Sequence, residues 1–428
     1  MRMPADHPLR FELNDEVHAR PPEPLEAPLR MSYLAIMGER ARRDRDIAPL
    51  IDLAERFKIA PPGANQNHFR ADFGPFRLKW ERHTEFARFT FMAPGGEDDP
   101  FGGTAISKVP EDWLAGLEGE VVVAAHAAVL KTRSSAPDPE EISKKHFAGN
   151  VLIGSAVADG AGVALTDFRI RGDGFSRLLV LNKSMSENQT GRTLQRLFEI
   201  DTYRVMALLA LPQARVASPF LDECETELAK ITRTLSAANE RDETLLLDRL
   251  TRLDAELENR NSQNHYRFAA AAAYHALVKR RIAELRETRI RGLQTFQEFT
   301  ERRLEPAMNT CETVANRQES LSQRVARTTH LLSTRVDINH ERQNQALLES
   351  MNRRAKMQLR LQETVEALSV AAVTYYAVGL VGYAAKGAEE LGVGLDPALV
   401  MAVSIPIVAL LVIRSLRRAR KLLKVDDD

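Results

Sequence analysis

FRLKWERHTEF, residues Phe76 to Phe86, decides how the first part of this chain is read. Phe76, Leu78 and Trp80 alternate with Arg77, Lys79 and Glu81. A period of two is the pattern of a strand whose faces meet different surroundings. The apolar set is expected to face a core. The charged set is expected to face outward, and three readings of it stand side by side. One is a solvated sheet face, where cross-strand Lys and Glu pairs contribute ~0.2–1 kcal/mol each. Another is a ligand or partner site built from Lys79, Glu81, Arg82, His83 and Glu85. The third is catalysis by a Glu/His pair, with Glu81, His83 and Glu85 as its members. No nucleophile or metal-ligand set of recognisable spacing accompanies that pair. No catalytic residue is therefore assigned, and the chain is not read as an enzyme.

Working outward, His83-Thr84 marks a turn, and Glu85 to Phe91 continues as a second strand with Phe89 and Phe91 on one face. Arg30 to Met37 and Val121 to Leu130 read as strands, and Arg43 to Ile59 as a helix. Val151 to Val157 and Val163 to Ile170 form a hairpin across ADGAG, and Phe175 to Leu181 follows across RGDG, with Asp173-Gly174 as turn chemistry. His7 to Arg30 is Pro-rich and reads as an extended segment draped over these elements. Strands and helices so mixed predict an α+β head over residues 1–183.

SMSENQTGRTLQRLFEIDTYRVMALLALP opens with two overlapping capping boxes, Ser184 with Glu187 and Ser186 with Gln189. Pro212 is expected to end that helix. Arg192, Arg196, Glu199, Asp201 and Arg204 read as ion pairs along it, with a functional polar face as the other possibility. Between Leu221 and Glu366 there is one proline, Pro306, and one glycine, Gly292, so the stretch is helical. Leu246, Leu250, Leu253 and Leu257 form one seam, and Leu228, Ile231 and Leu235 another. NRNSQNH, Asn259 to His265, reads as a turn. Residues 184–366 are thus a long antiparallel helical or coiled-coil arm. Its last helix carries Leu347, Met351, Leu361, Val365 and Leu368 on a stripe interrupted by Arg354 and Gln358, and it is expected to continue unbroken beyond residue 366.

Residues 367–428 change character. Leu368 to Ala385 and Pro397 to Ile413 contain no charged residue. Each is close to the shortest length that crosses ~30 Å of hydrocarbon. Arg353, Arg354, Lys356 and Arg360 precede the first stretch, and Arg414, Arg417, Arg418, Arg420, Lys421 and Lys424 follow the second. The segment between them holds Lys386 against Glu389, Glu390 and Asp396. That asymmetry predicts a two-helix transmembrane hairpin with both termini cytoplasmic. Two buried core helices are the competing reading. Gly379, Gly382, Ala398 and Ala402 offer small surfaces for close contact, and Pro406 is expected to kink the second helix.

Composition narrows the function. Lys plus Arg and Asp plus Glu both number 59, so no global charge draws the chain to nucleic acid. Cys224 and Cys311 lie far apart, as free thiols in a reducing compartment do. MRMPADHPLR has no apolar core, so no signal peptide is expected. His7, His18, His68, His83, His126 and His146 show no metal-ligand spacing, and ADGAG and RGDG lack phosphate-loop patterns. No metal and no cofactor is assigned.

HPLRFELNDEVHARP (7–21), FRLKWERHTEF (76–86), TGRTLQRLFEIDTYRVMALLALPQAR (190–215) and LSVAAVTYYAVGLVGYAAKG (368–387) together resemble a bacterial family, domain of unknown function 3422. The resemblance covers nearly the whole chain. It implies an uncharacterised protein anchored in the bacterial inner membrane and brings no catalytic residues. The order of head, long helices and two spans is also similar to that of CorA-type magnesium channels. Their Gly-Met-Asn signature is missing here, where the chain reads Val381-Gly382-Tyr383-Ala384-Ala385. Two functions follow as expectations. The first is a membrane-anchored, homo-oligomeric scaffold or regulatory protein with the lipid bilayer, and a further cytoplasmic protein, as partners. The second is a CorA-like oligomeric cation channel in which Glu389, Glu390 and Asp396 collect cations.

Overall fold

The computed structural model describes residues 6–11, 13–14, 22–38, 47–63, 66–96, 99–132, 138–235, 240–390, 394 and 396–423. His18, Lys424 and the expected helix start at Arg43 lie outside them. The chain divides into two compact units, Met1–Ala237 with Leu245–Thr329, and Ala238–Thr244 with His330–Asp428.

The first unit is built on a nine-stranded sheet. In chain order its strands are β1 (Leu29–Met37), β2 (His68–Asp72), β3 (Arg77–Arg82), β4 (Phe86–Pro94), β5 (Glu120–Lys131), β6 (Ile153–Val157), β7 (Gly162–Thr166), β8 (Ser176–Asn182) and β9 (Thr288–Arg289). They lie in the order β2-β3-β4-β1-β5-β8-β7-β6-β9. Neighbours are antiparallel except β5 and β8, which run parallel. This is the expected α+β architecture.

The period-two pattern of β3 holds. Leu78 and Trp80 enter a core with Phe76, Phe91 and Trp113, none more than 3% exposed. Two short helices, α1 (Ala48–Arg56) and α2 (Glu111–Ala115), close that side. Leu50, Leu53 and Trp113 insert from them. A third short helix, α3 (Pro139–His146), packs Ile142 against a second apolar cluster around Phe147 and Leu165.

The charged face of β3 is largely covered, so the first of the three readings, a solvated sheet face, does not hold at Lys79 and Glu81, while Arg77 at its edge stays half-exposed. Helix α4 (Glu187–Leu208) covers that face, and Glu81 is 1% exposed. Tyr33 of β1 stacks on Phe198 of α4 with ring centroids 4.5 Å apart, and its hydroxyl lies 2.7 Å from Thr202 Oγ1. Period two shows that the two faces differ. It says nothing of what covers the second one. Only the Ser186–Gln189 capping box forms, and α4 starts after it. Gly191 lets the segment before β1 pass against α4, because a Cβ there would overlap the Glu23 carbonyl. Leu25 N–H donates to Glu187 O at the same crossing (3.1 Å).

Helix α4 ends at Leu208, before Pro212, and α5 (Ala210–Leu235) follows at once. Pro212 sits in the first turn of α5, where a backbone N–H has no intrahelical partner to lose. Helix α6 (Glu240–Leu285) runs straight through Asn259–His265, where a turn was expected. Polar residues without Gly or Pro cost a helix little, and buried Leu257, Phe268 and Ala271 keep one face packed across the stretch. The chain reverses instead after Leu285, with Arg286 and Gly292 at positive φ. Helix α7 (Phe296–Arg303) follows with a Thr295–Glu298 capping box, and Glu287 accepts hydrogen bonds from Phe296 N–H, Gln297 N–H and Ser155 Oγ.

Helix α8 (Glu305–Glu390) is a single run of 86 residues, so the expected continuation past residue 366 is present. Its first part belongs to this unit. Ion pairs join it to its neighbours there, Arg317 with Asp222 and Glu225 of α5 and Lys279 of α6 with Glu305. Of the predicted seam residues, Leu228, Ile231, Leu246, Leu250, Leu253 and Leu257 are buried and Leu235 is half-buried.

The second unit holds the rest of α8 and α9 (Pro397–Leu423). Glu243, buried, accepts from Arg335 and from Asn339 (2.6 and 2.8 Å). Met401 of α9 lies against Gly382 of α8, where a Cβ would collide with its sulfur. Two helices, Glu305–Glu390 and Pro397–Leu416, are long and apolar enough to cross a membrane.

Candidate functional site

The face of the sheet beneath α4 carries a chain of buried charges. Glu81 of β3 stands directly across from Arg88 of β4 in the strand register. Arg88 Nε donates to Glu81 Oε2 (2.5 Å) and its Nη1 to Glu199 Oε1 of α4 (3.1 Å). Lys79 Nζ lies 3.2 Å from Glu81 Oε1. Glu199 also takes the Nε of Arg281 of α6, together with Gln195 Nε2 (2.9 Å). Arg281 and Arg196 then share Glu284 (2.9 and 3.2 Å). Positive and negative groups therefore alternate from β3 through β4 and α4 to α6.

Burial alone would raise the Glu81 carboxyl. Arg88 beside it outweighs that and holds it below the usual carboxylate range. Glu199 behaves the same way, drawn down by Arg88 and Arg281 against its own desolvation. Burial lowers the Lys79 ammonium, and Glu81 offsets only part of that. Arg88 stays charged because its loss of water is outweighed by Glu81. Pairs of this kind contribute little net stability, yet removing one member leaves a buried charge uncompensated.

A small cavity opens beside the chain, walled by Met31 and Met92 and edged by Glu23, Lys79, Glu81 and Gln195. Glu23 Oε2 and Gln195 Oε1 are buried there without a protein hydrogen bond. Both are acceptors, so the space suits a hydrogen-bond donor.

The five residues singled out on FRLKWERHTEF do not converge. Lys79 and Glu81 enter the charge chain. Arg82 donates to Asn67 Oδ1 (2.9 Å) and lies over Trp80. His83 stacks on Phe86. Glu85 binds Arg267 of α6 through both oxygens (2.9 and 3.1 Å). Of the residues read as ion pairs along α4, Arg204 with Asp201 forms one. Arg196 and Glu199 turn to partners on other elements instead. Glu389 and Glu390 are exposed at the end of α8. Asp396 is also exposed, but its Oδ1 accepts the Ala398 N–H and caps α9 (2.9 Å).

Sequence reading missed Arg88 and Arg281, and it gave Glu199 ion-pair partners on its own helix where the structure gives it Arg88 and Arg281. Arg88 had one signal, a lone cation among Phe86, Phe89 and Phe91. The pairing of Glu199 with Arg281, 82 positions apart, had none. It also missed Ser32, His126 and Asp173. Ser32 Oγ is 3.0 Å from His126 Nδ1, and His126 Nε2 is 4.0 Å from Asp173 Oδ2. The trio resembles a nucleophile, base and acid, but Ser32 is fully buried and its oxygen already accepts the Ile106 N–H (3.1 Å). Phe175 stacks on the imidazole. Burial pushes His126 down to about 4, which leaves the ring neutral at pH 7. Among the described residues, no group of three or more His, Cys, Asp or Glu side chains is placed to hold a metal ion.

The chain thus comprises a mixed α+β sheet unit, one very long helix and a final apolar helix. The chain belongs to the family described as protein of unknown function (DUF3422), whose model matches residues 5–423. No match was found among curated proteins or among solved structures, so the likeness to CorA-type channels gains no support.

Proposed function

We propose that this protein is a membrane-anchored scaffold of the bacterial inner membrane, with α8 and α9 crossing the bilayer as a hairpin and both termini in the cytoplasm. The observation that carries this reading is the exposure of the two apolar helices. Tyr375, Tyr376, Leu380, Leu399, Ile407 and Leu411 are each more than half exposed, on segments without a charged residue. Apolar surface of that extent belongs in lipid or against another chain. Leu368 to Ala385 rises about 27 Å as a helix, close to the hydrocarbon thickness. Met401 against Gly382 supports pairing of the two helices within one chain. The basic residues outside the pair and the acidic ones between them support the orientation.

The head is read as a docking module without a catalytic site, and α5, α6 and the start of α8 as an antiparallel arm. Interhelical ion pairs and the buried leucine seams support the arm. The head's partner in this reading is another cytoplasmic protein. Alkaline carbonate extraction of membranes tests the anchor. The chain is expected in the pellet, and its release to the supernatant would sink the hairpin. Impermeant thiol labelling of single cysteines near residues 388 and 418 tests orientation, with the first expected to label from outside.

The alternative is a cation channel, for which exposed Glu389 and Glu390 speak. Asp396 is less suited, being engaged as a helix cap. Flux through liposomes that is lost in the Glu389→Gln, Glu390→Gln, Asp396→Asn triple variant would replace the scaffold reading.

A further inference from the structure

Residues 341–366 of α8 stand in solvent along their length, with only Ser350 and Glu366 half-buried. Leu347, Leu348, Met351, Met357, Leu361 and Val365 are 55–71% exposed. A lone helix in water is held by little besides packing of its apolar face, so such a face calls for a cover. At about 100° per residue, Leu347, Met351, Leu361, Val365 and Leu368 fall on one side. Arg354 and Gln358 share it. Glu349, Arg353, Lys356, Arg360 and Glu363 fall on the opposite side.

We infer that the cover is the same face of a second copy of this chain, parallel and in register, forming a coiled coil from Leu347 to Leu368. Three observations select this occupant. The stripe repeats at intervals of four and three, which is the geometry of helix against helix. The positions flanking it, Leu348, Ser350, Ala355, Met357, Gln362 and Thr364, hold no charge, so two identical faces meet without repulsion at their borders. The area is also sufficient. Two stripes about 33 Å long bury on the order of 1,000 Å², the lower bound for a specific interface. The parallel sense rests on the membrane reading above, since helices entering one bilayer from the same side share direction and level. Gln358 and the aliphatic stem of Arg354 form the polar layers, which cost stability and set register.

Two cysteine variants of the full-length chain, in native membranes, test the inference. Leu361→Cys lies in the seam and Glu363→Cys faces away. Cys224 and Cys311 are buried and common to both variants. Under oxidation, Leu361→Cys is expected to give at least ten-fold more disulfide-linked dimer than Glu363→Cys. Equal yields, or none from Leu361→Cys, would overturn the inference, whether lipid or a different protein covers the face. Mass in mild detergent gives a second arm. Wild type is expected at a multiple of 47.9 kDa and the Met351→Glu, Leu361→Glu double variant at one chain. A monomeric wild type, or an unchanged variant, would also overturn it. Carbonate extraction of the same membranes keeps the two readings apart. A pelleted chain that does not cross-link defeats the coiled coil alone, and a released chain defeats the anchor.

Discussion

The head buries charge, and the long helix exposes apolar surface. Glu81, Arg88 and Glu199 are 1–4% exposed, whereas Leu347, Met351 and Leu361 are more than 60% exposed. Each region inverts the usual placement. The difference lies in where the partners are. The buried charges find theirs within the fold, on β3, β4, α4 and α6. Among the described residues, the leucines between 341 and 366 stay exposed. An inversion that is internally satisfied ties elements together, and one left open indicates what surrounds the molecule.

Substitutions separate the two cases, beginning with the largest expected effect. Trp80 and Trp113 are the only tryptophans and both lie in the head core, so their fluorescence reports unfolding of the head alone. Arg88→Met leaves Glu81 buried and Glu199 with one cation fewer. It is expected to cost about 3–5 kcal/mol in urea titrations. Adding Glu81→Gln should recover part of that loss, and no recovery would show that Arg88 acts through packing.

Acid comes next. His126 titrates near 4 in the folded chain against 6.5 when unfolded, so the unfolded state binds the extra proton between those values. Head stability is therefore complete above pH 6.5 and falls as the pH drops, by about 3 kcal/mol near pH 4. His126→Asn should flatten that window. The depressed carboxyls of Glu81 and Glu199 contribute above the ordinary carboxylate range and lose their contribution only at lower pH. Gly191→Ala pushes a methyl into the Glu23 carbonyl and is expected to cost about 1–3 kcal/mol. Ser186→Ala removes a formed cap, at about 1 kcal/mol. Leu361→Ser is expected to shift head unfolding by less than about 0.5 kcal/mol, since Leu361 is an exposed residue of the second unit. A large shift there would erase the distinction between the two regions.

Much of this was legible in one dimension. Alternation over residues 76–81, the capping pair Ser186 and Gln189, the leucine seams and the uncharged runs after residue 367 each follow from spacing along a single element. The chain marked by itself the strands β1 and β3 to β8, the long helices, and which face of β3 turns to a core, whereas β2, β9, α2 and α3 gave no comparable signal. It could not show what lies on the other face. The helix α4 that covers it begins about a hundred positions after β3, and the Arg281 that completes the charge chain lies further on. Contacts of that separation leave no periodic trace, because the spacing of a residue on its own element is independent of the element that later packs against it. Tertiary structure alone turned Lys79 and Glu81 from a solvated surface into a buried link, carried α6 through a polar stretch read as a turn, and joined Ser32 to His126.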